Sequence, residues 1–128
     1  MLKSFSFEKL NVWQESRKLA SRIYVLTKLF PSDEKFGLIS QMRRCSISIA
    51  SNIAEGSGRH SNKDKARFTE IAYSSALELL NQVIIASDLN FITKNDANDI
   101  RGIISKITAM LDGLRKSQLK NNSELLNT

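Results

Sequence analysis

One cysteine, one proline and one histidine are all that 128 residues contain of these types. The lone Cys45 excludes an internal disulfide, and with only His60 beside it no structural zinc site can be assembled within the chain. A single proline and five glycines force few turns, which favours a small number of long elements. No apolar run approaches the length of a membrane span. The opening MLKSFSFEKL has neither the apolar centre nor the small-residue cleavage site of a signal peptide, so a cytoplasmic protein with no membrane partner is expected. Glycine-rich phosphate loops and metal-ligand spacings are missing, as is the Glu-x-x-His pair of di-iron bundles. These absences argue against an enzyme and against any cofactor or metal.

What is present is helical patterning. A hydrophobic content of 41% with 25% charged residues belongs to a folded globular chain, here one domain long enough to bury a core. Val12, Leu19, Ile23, Leu26 and Phe30 recur at helical spacing until Pro31 stops them. Ahead of them Phe5 and Phe7 alternate, which predicts an extended arm laid on the bundle. Ser32 followed by Asp33 and Glu34 predicts the cap and first turn of a second helix, which Gly56-Ser57-Gly58 ends. Ser61 with Asp64, and Thr93 with Asp96, open a third and a fourth helix. The fourth carries one clean stripe of Ile100, Ile103, Ile104, Ile107, Leu111 and Leu114, and its period fades after Lys116. The expected fold is therefore an all-α, antiparallel up-down-up-down four-helix bundle over residues 1–117, with a polar frayed tail over 118–128.

Two of the helices are apolar over more than one face. In the second helix Leu38, Met42, Cys45, Ile49 and Ile53 align as the core stripe, leaving Cys45 as an inert core thiol. Ile39, Ile47, Ala50 and Ala54 form another, smaller face. In the third helix Tyr73, Leu77, Leu80 and Ile84 lie opposite the core stripe. A corner helix of a monomeric bundle needs only one stripe, so a second copy of the chain is the expected cover for these eight residues.

The rest of the second helix is a polar file of Gln41, Arg44, Ser48, Asn52, Glu55 and Arg59, spaced three or four apart. Glu55 and Arg59 are expected to pair. Two uses compete for this file. One is ligand contact through arginine forks, which suit phosphate. The other is a packing seam, favoured at Asn52 and Glu55. The net charge of +6 is concentrated from Lys35 to Arg67, where seven basic residues face only Glu55 and Asp64. Such an excess favours polyanions, and the expected nucleic-acid contacts are Arg43, Arg44, Arg59, His60, Lys63, Lys65 and Arg67. The competing reading is a structural or adaptor protein that binds another protein, its charge serving only solubility.

Phe30-Pro31, Phe36-Gly37-Leu38, Gln41, Arg43-Arg44, Ser48-Ile49 and above all Asn52-Ile53-Ala54-Glu55-Gly56 with Arg59 carry a resemblance. So do Leu10 to Trp13, Phe68, Ile71-Ala72 and Ser75-x-x-Glu78-Leu79. Over almost the whole chain the sequence resembles the bacterial four-helix-bundle proteins encoded in intervening sequences of large-subunit ribosomal RNA genes. Ser74 departs from the glycine frequent there. The resemblance implies a left-handed antiparallel bundle, a ring-like homopentamer, no established activity and a role in binding RNA. It also implies a relation to the basic accessory protein of diversity-generating retroelements, a pentamer associated with nucleic acid and reverse transcriptase. The number five comes from the resemblance alone.

Overall fold

The computed structural model describes residues 2–126, with side chains through Lys120. Its helices are α1 (Asn11–Thr27), α2 (Ser40–Ser57), α3 (Asn62–Asp88) and α4 (Lys94–Leu126), with no strand among the described residues. The cross-helix pairs fix the directions. Arg43 meets Thr27 and Tyr24, Ser48 meets Ser75, Glu70 meets Arg115, and Arg22 meets Asp96 and Asp99. The start of one helix thus lies beside the end of its neighbour, and middle beside middle, so all neighbours run antiparallel. The order around the bundle is α1–α2–α3–α4, with α4 closing onto α1 through Arg22 and the Glu15–Lys106 pair.

The core is built from the expected stripes. Leu19 and Ile23, Met42 and Ile49, Leu79 and Val83, and Ile100, Ile104, Ile107 and Leu111 are all buried in one cluster. Each such side chain contributes about 1.5–3 kcal/mol by leaving water, which is why single stripes suffice to specify the bundle. Buried Ser16 and Thr27 cost little, because each hydroxyl donates to a carbonyl one turn back at 2.7 Å. At the far end of α3, Asn90 takes a positive φ of 61° and lets the Phe91 amide donate to the Ala86 carbonyl. Phe91 then seats its ring 5.5 Å from that of Phe30, closing one end of the core.

Local departures from expectation have physical causes. Ser6–Lys9 is a 3-10 turn, not an extended arm, because Glu8 reaches back to the Phe5 amide at 2.6 Å. Phe7 still lies on the bundle, edge-on to Trp13 at 5.0 Å. The second helix does not start at a Ser32 cap. A 3-10 turn at Ser32–Glu34 and a wide turn at Lys35–Ile39 come first, and Gly37 leaves helical geometry (φ −110°, ψ −111°). The Glu34 carboxylate supplies the cap instead, accepting from the Leu38 amide at 3.3 Å. The expected caps at Ser61 and Thr93 are present, each hydroxyl accepting from the amide three residues on. α4 continues past Lys116 to Leu126, held at Gln118 by a 2.8 Å hydrogen bond from the Thr69 hydroxyl. The last two residues of the expected tail, 127–128, lie outside the described residues.

Candidate nucleic-acid interface

The cationic cluster is organised by a glycine. Gly56 is buried in the last turn of α2, and a Cβ placed there would stand only 2.8 Å from the Phe68 Cβ. Its lack of a side chain lets α3 approach until the buried Phe68 ring is wedged under the α2–α3 turn. That ring carries two guanidinium groups. The Arg59 Cζ lies 4.5 Å from its centroid and the Arg67 Cζ 4.8 Å, both within cation–π range. Asp64, on the first turn of α3, bridges them. Its Oδ1 accepts from Arg67 at 3.1 Å and its Oδ2 faces the Arg59 Nε at 3.5 Å. This corrects the expected Glu55–Arg59 pair: α2 ends at Ser57, so Arg59 leaves the helical register and turns onto α3.

His60 and Lys63 are exposed around this turn and Lys65 is half-buried. A groove beside Arg67 is lined by Ser61, Lys63, Glu70, Arg115 and Leu119. Arg115 is a cation that reading along the sequence missed. It is 48 positions from Arg67 and enters only because α4 runs antiparallel beside α3, where its Nε donates to Glu70 at 2.6 Å. The basic run Arg115-Lys116 was the available signal.

The other expected contacts are elsewhere. Arg43 is turned onto α1, donating to the Thr27 hydroxyl at 2.9 Å and lying 4.5 Å over the Tyr24 ring. Arg44 is exposed on α2, thirteen residues and so about 20 Å of helix before the helix ends at Ser57. The structure thus gathers Arg59, His60, Lys63, Lys65 and Arg67 at one end and leaves Arg43 and Arg44 apart.

The polar file divides the same way. Ser48 and Asn52 are half-buried in the α2–α3 contact. The Ser48 and Ser75 hydroxyls are 2.9 Å apart, and the Asn52 amide donates to the Ser48 carbonyl and hydroxyl at 2.8 and 3.1 Å. Gln41 and Glu55 are exposed. Cys45 is buried against Gln82, whose amide faces its Sγ at 3.5 Å. Burial first, then the neighbouring Glu78, pushes the thiol up to about 11.

Of the eight residues expected at an interface, Ile47 (44%), Tyr73 (37%), Leu77 (49%) and Ile84 (41%) are exposed in the single chain. Ile39, Ala50, Ala54 and Leu80 are half-buried. The two strips lie on opposite sides of the bundle. Ile47 shares a groove with Tyr24 and Phe36 on the α1–α2 side. Tyr73 and Ile84 border α4, beside Leu111 and Ala97. Phe36 is 90% exposed on the same side as Ile47, an apolar group that the helical pattern did not mark.

The geometry first defines a class: an antiparallel four-helix bundle with a cationic end and two opposed apolar strips. No helix among the described residues is long and apolar enough to cross a membrane. The chain belongs to the 23S rRNA-intervening sequence protein family, whose model matches residues 8–113. A solved relative is a protein of unknown function of the S23 ribosomal protein family from Bacteroides thetaiotaomicron VPI-5482. The two chains are 26% identical, with a TM-score of 0.76 over 82% of this chain and 98% of that one. A comparison with curated proteins returns no match.

Proposed function

We infer that this chain is a non-catalytic homo-oligomer whose basic end binds nucleic acid, RNA foremost, through phosphate contacts with little reading of sequence. The observation that carries the reading is the cluster of Arg59, His60, Lys63 and Arg67 at one end of the bundle, its two arginines held over Phe68. Guanidinium groups fixed by stacking lose less freedom on meeting a phosphate than free arginines do. The family's name, which ties it to intervening sequences of 23S rRNA, supports RNA as the partner. An electrophoretic shift of RNA at low ionic strength is the expected result, fading as salt rises. No shift of any RNA or DNA under those conditions overturns the reading.

Assembly is then head-to-tail. Two different apolar strips on opposite sides of one chain fit a heterologous contact, strip against strip, which closes into a ring. A ring of five follows the family resemblance. It repeats the cationic end once per subunit and so multiplies the field that a polyanion meets. The competing adaptor role would use the same strips for another protein, and a chain that stays monomeric at micromolar concentration favours it.

A further inference from the structure

Two guanidinium groups that share one carboxylate already form an anion site with an occupant. Asp64 Oδ1 takes the Arg67 Nε and Nη2, each at 3.1 Å, and Oδ2 takes the Arg59 Nε at 3.5 Å. Resting on the nucleic-acid reading, we propose that Asp64 is an internal competitor for phosphate: the Arg59–Asp64–Arg67 clamp opens when a backbone phosphate replaces the carboxylate. Guanidinium N–H groups recognise carboxylate and phosphate oxygens alike, so a phosphate oxygen can take over the Arg67 contacts that Oδ1 now makes. The arginines need not move far, because both stay stacked on Phe68, itself fixed by the close approach at Gly56. The displaced carboxylate has somewhere to go, being one-third exposed and on the first turn of α3, where the helix dipole favours it with or without arginine partners.

The exchange is near balance in intrinsic charge, one monoanion for another. A polymer wins at low salt because its counterions are released, and Asp64 recovers the arginines as salt rises. Asp64 thereby raises the concentration at which an isolated phosphate-sized anion takes the arginines, while a nucleic-acid strand, aided by counterion release, takes them at low concentration. A free cluster of arginines would have no such competitor.

The test is Asp64→Asn against Glu55→Gln, an equal change of net charge on a nearby exposed acid that touches neither arginine. Asp64→Asn retains the backbone amide that Ser61 caps, so the helix start survives. Single-stranded RNA affinity should rise about fivefold in Asp64→Asn, the scale of an exposed ion pair, and by less than half as much in Glu55→Gln. In parallel, inorganic pyrophosphate is titrated while the Arg59 and Arg67 Nε–H resonances are followed, and they should respond at lower concentration in Asp64→Asn than in wild type. Where RNA binds, equal gains in the two variants overturn the clamp; resonances that pyrophosphate leaves unmoved in Asp64→Asn overturn it whether or not RNA binds. Resonances that move as expected while no variant binds RNA uphold the clamp and overturn only the nucleic-acid reading.

Discussion

Replacing Gly56 by alanine sets two known effects against each other. In the last turn of a helix alanine is still favoured over glycine, by at most the ~1 kcal/mol of an interior position, so propensity alone predicts a more stable protein. The new Cβ, however, would stand 2.8 Å from the Phe68 Cβ and 3.4 Å from the Lys65 carbonyl oxygen. Carbon pairs are best separated by about 3.5–4.0 Å, and both carbons here are fixed to backbone, so α2 and α3 must part at this end. Overpacking of that kind costs about 1–3 kcal/mol, and the upper half of the range applies where no side-chain rotation relieves it. The net expectation is a loss of about 1–2 kcal/mol, or a Tm lower by roughly 4–8 °C for a domain of this size. RNA affinity should fall with it, because Phe68 shifts beneath Arg59 and Arg67. Gly113, with nothing within 4 Å of its virtual Cβ, is the control, and Gly113→Ala should gain about 1 kcal/mol. Thermal unfolding by circular dichroism reads both. An unchanged or higher Tm for Gly56→Ala refutes the close-approach reasoning.

Other outcomes follow from single interactions. Ser75→Ala should cost about 1 kcal/mol in urea unfolding and Ser48→Ala a similar amount, with the double variant costing less than the sum; strict additivity would show that the 2.9 Å pair contributes nothing. Cys45 should resist alkylation at pH 8 in the folded protein and react once unfolded. Since its folded thiol titrates near 11 against an ordinary 9.0, the unfolded state ionises first; its contribution is fully present below pH 9 and is lost as pH rises from 9 through 11. Flat stability across that window would contradict the assignment. Ile47→Glu and Leu77→Glu should each disperse the oligomer in light scattering, and an equimolar mixture should re-form one intact interface as a 1:1 dimer. A mixture that stays monomeric excludes a head-to-tail interface.

The fold was legible because the helices repeat one physical rule. Stripes such as Ile100–Ile104–Ile107–Leu111 and caps such as Ser61 and Thr93 are local signals, and the bundle follows from four of them joined by short turns. Extrapolating a helical period past its end failed. Arg59 shares spacing with Glu55, but α2 stops at Ser57 and Asp64 is the acid that Arg59 meets. The same limit hid the wide turn at Lys35–Ile39, where the Glu34 carboxylate, four residues before the amide it caps, did the work expected of Ser32. For the candidate site, the basic content of residues 59–67 was visible but its organisation was not. The Gly56–Phe68 approach and the arrival of Arg115 depend on how α2 and α4 lie beside α3, which no local pattern encodes. Arg43 was expected among the nucleic-acid contacts with Arg59, and only the position of Thr27 and Tyr24 turns it onto α1.

If the basic end meets phosphates, the salt dependence of RNA binding measures that most directly. Fluorescence anisotropy across a range of salt concentrations should give a linear fall in log affinity for wild type. Every phosphate neutralised on a single strand adds about 0.7 to the steepness of that fall, so replacing Arg59, Lys63, Lys65 and Arg67 together with serine should reduce it by roughly 3 while the oligomer persists. A variant that keeps the wild-type slope, or a wild type whose binding ignores salt, contradicts the central claim.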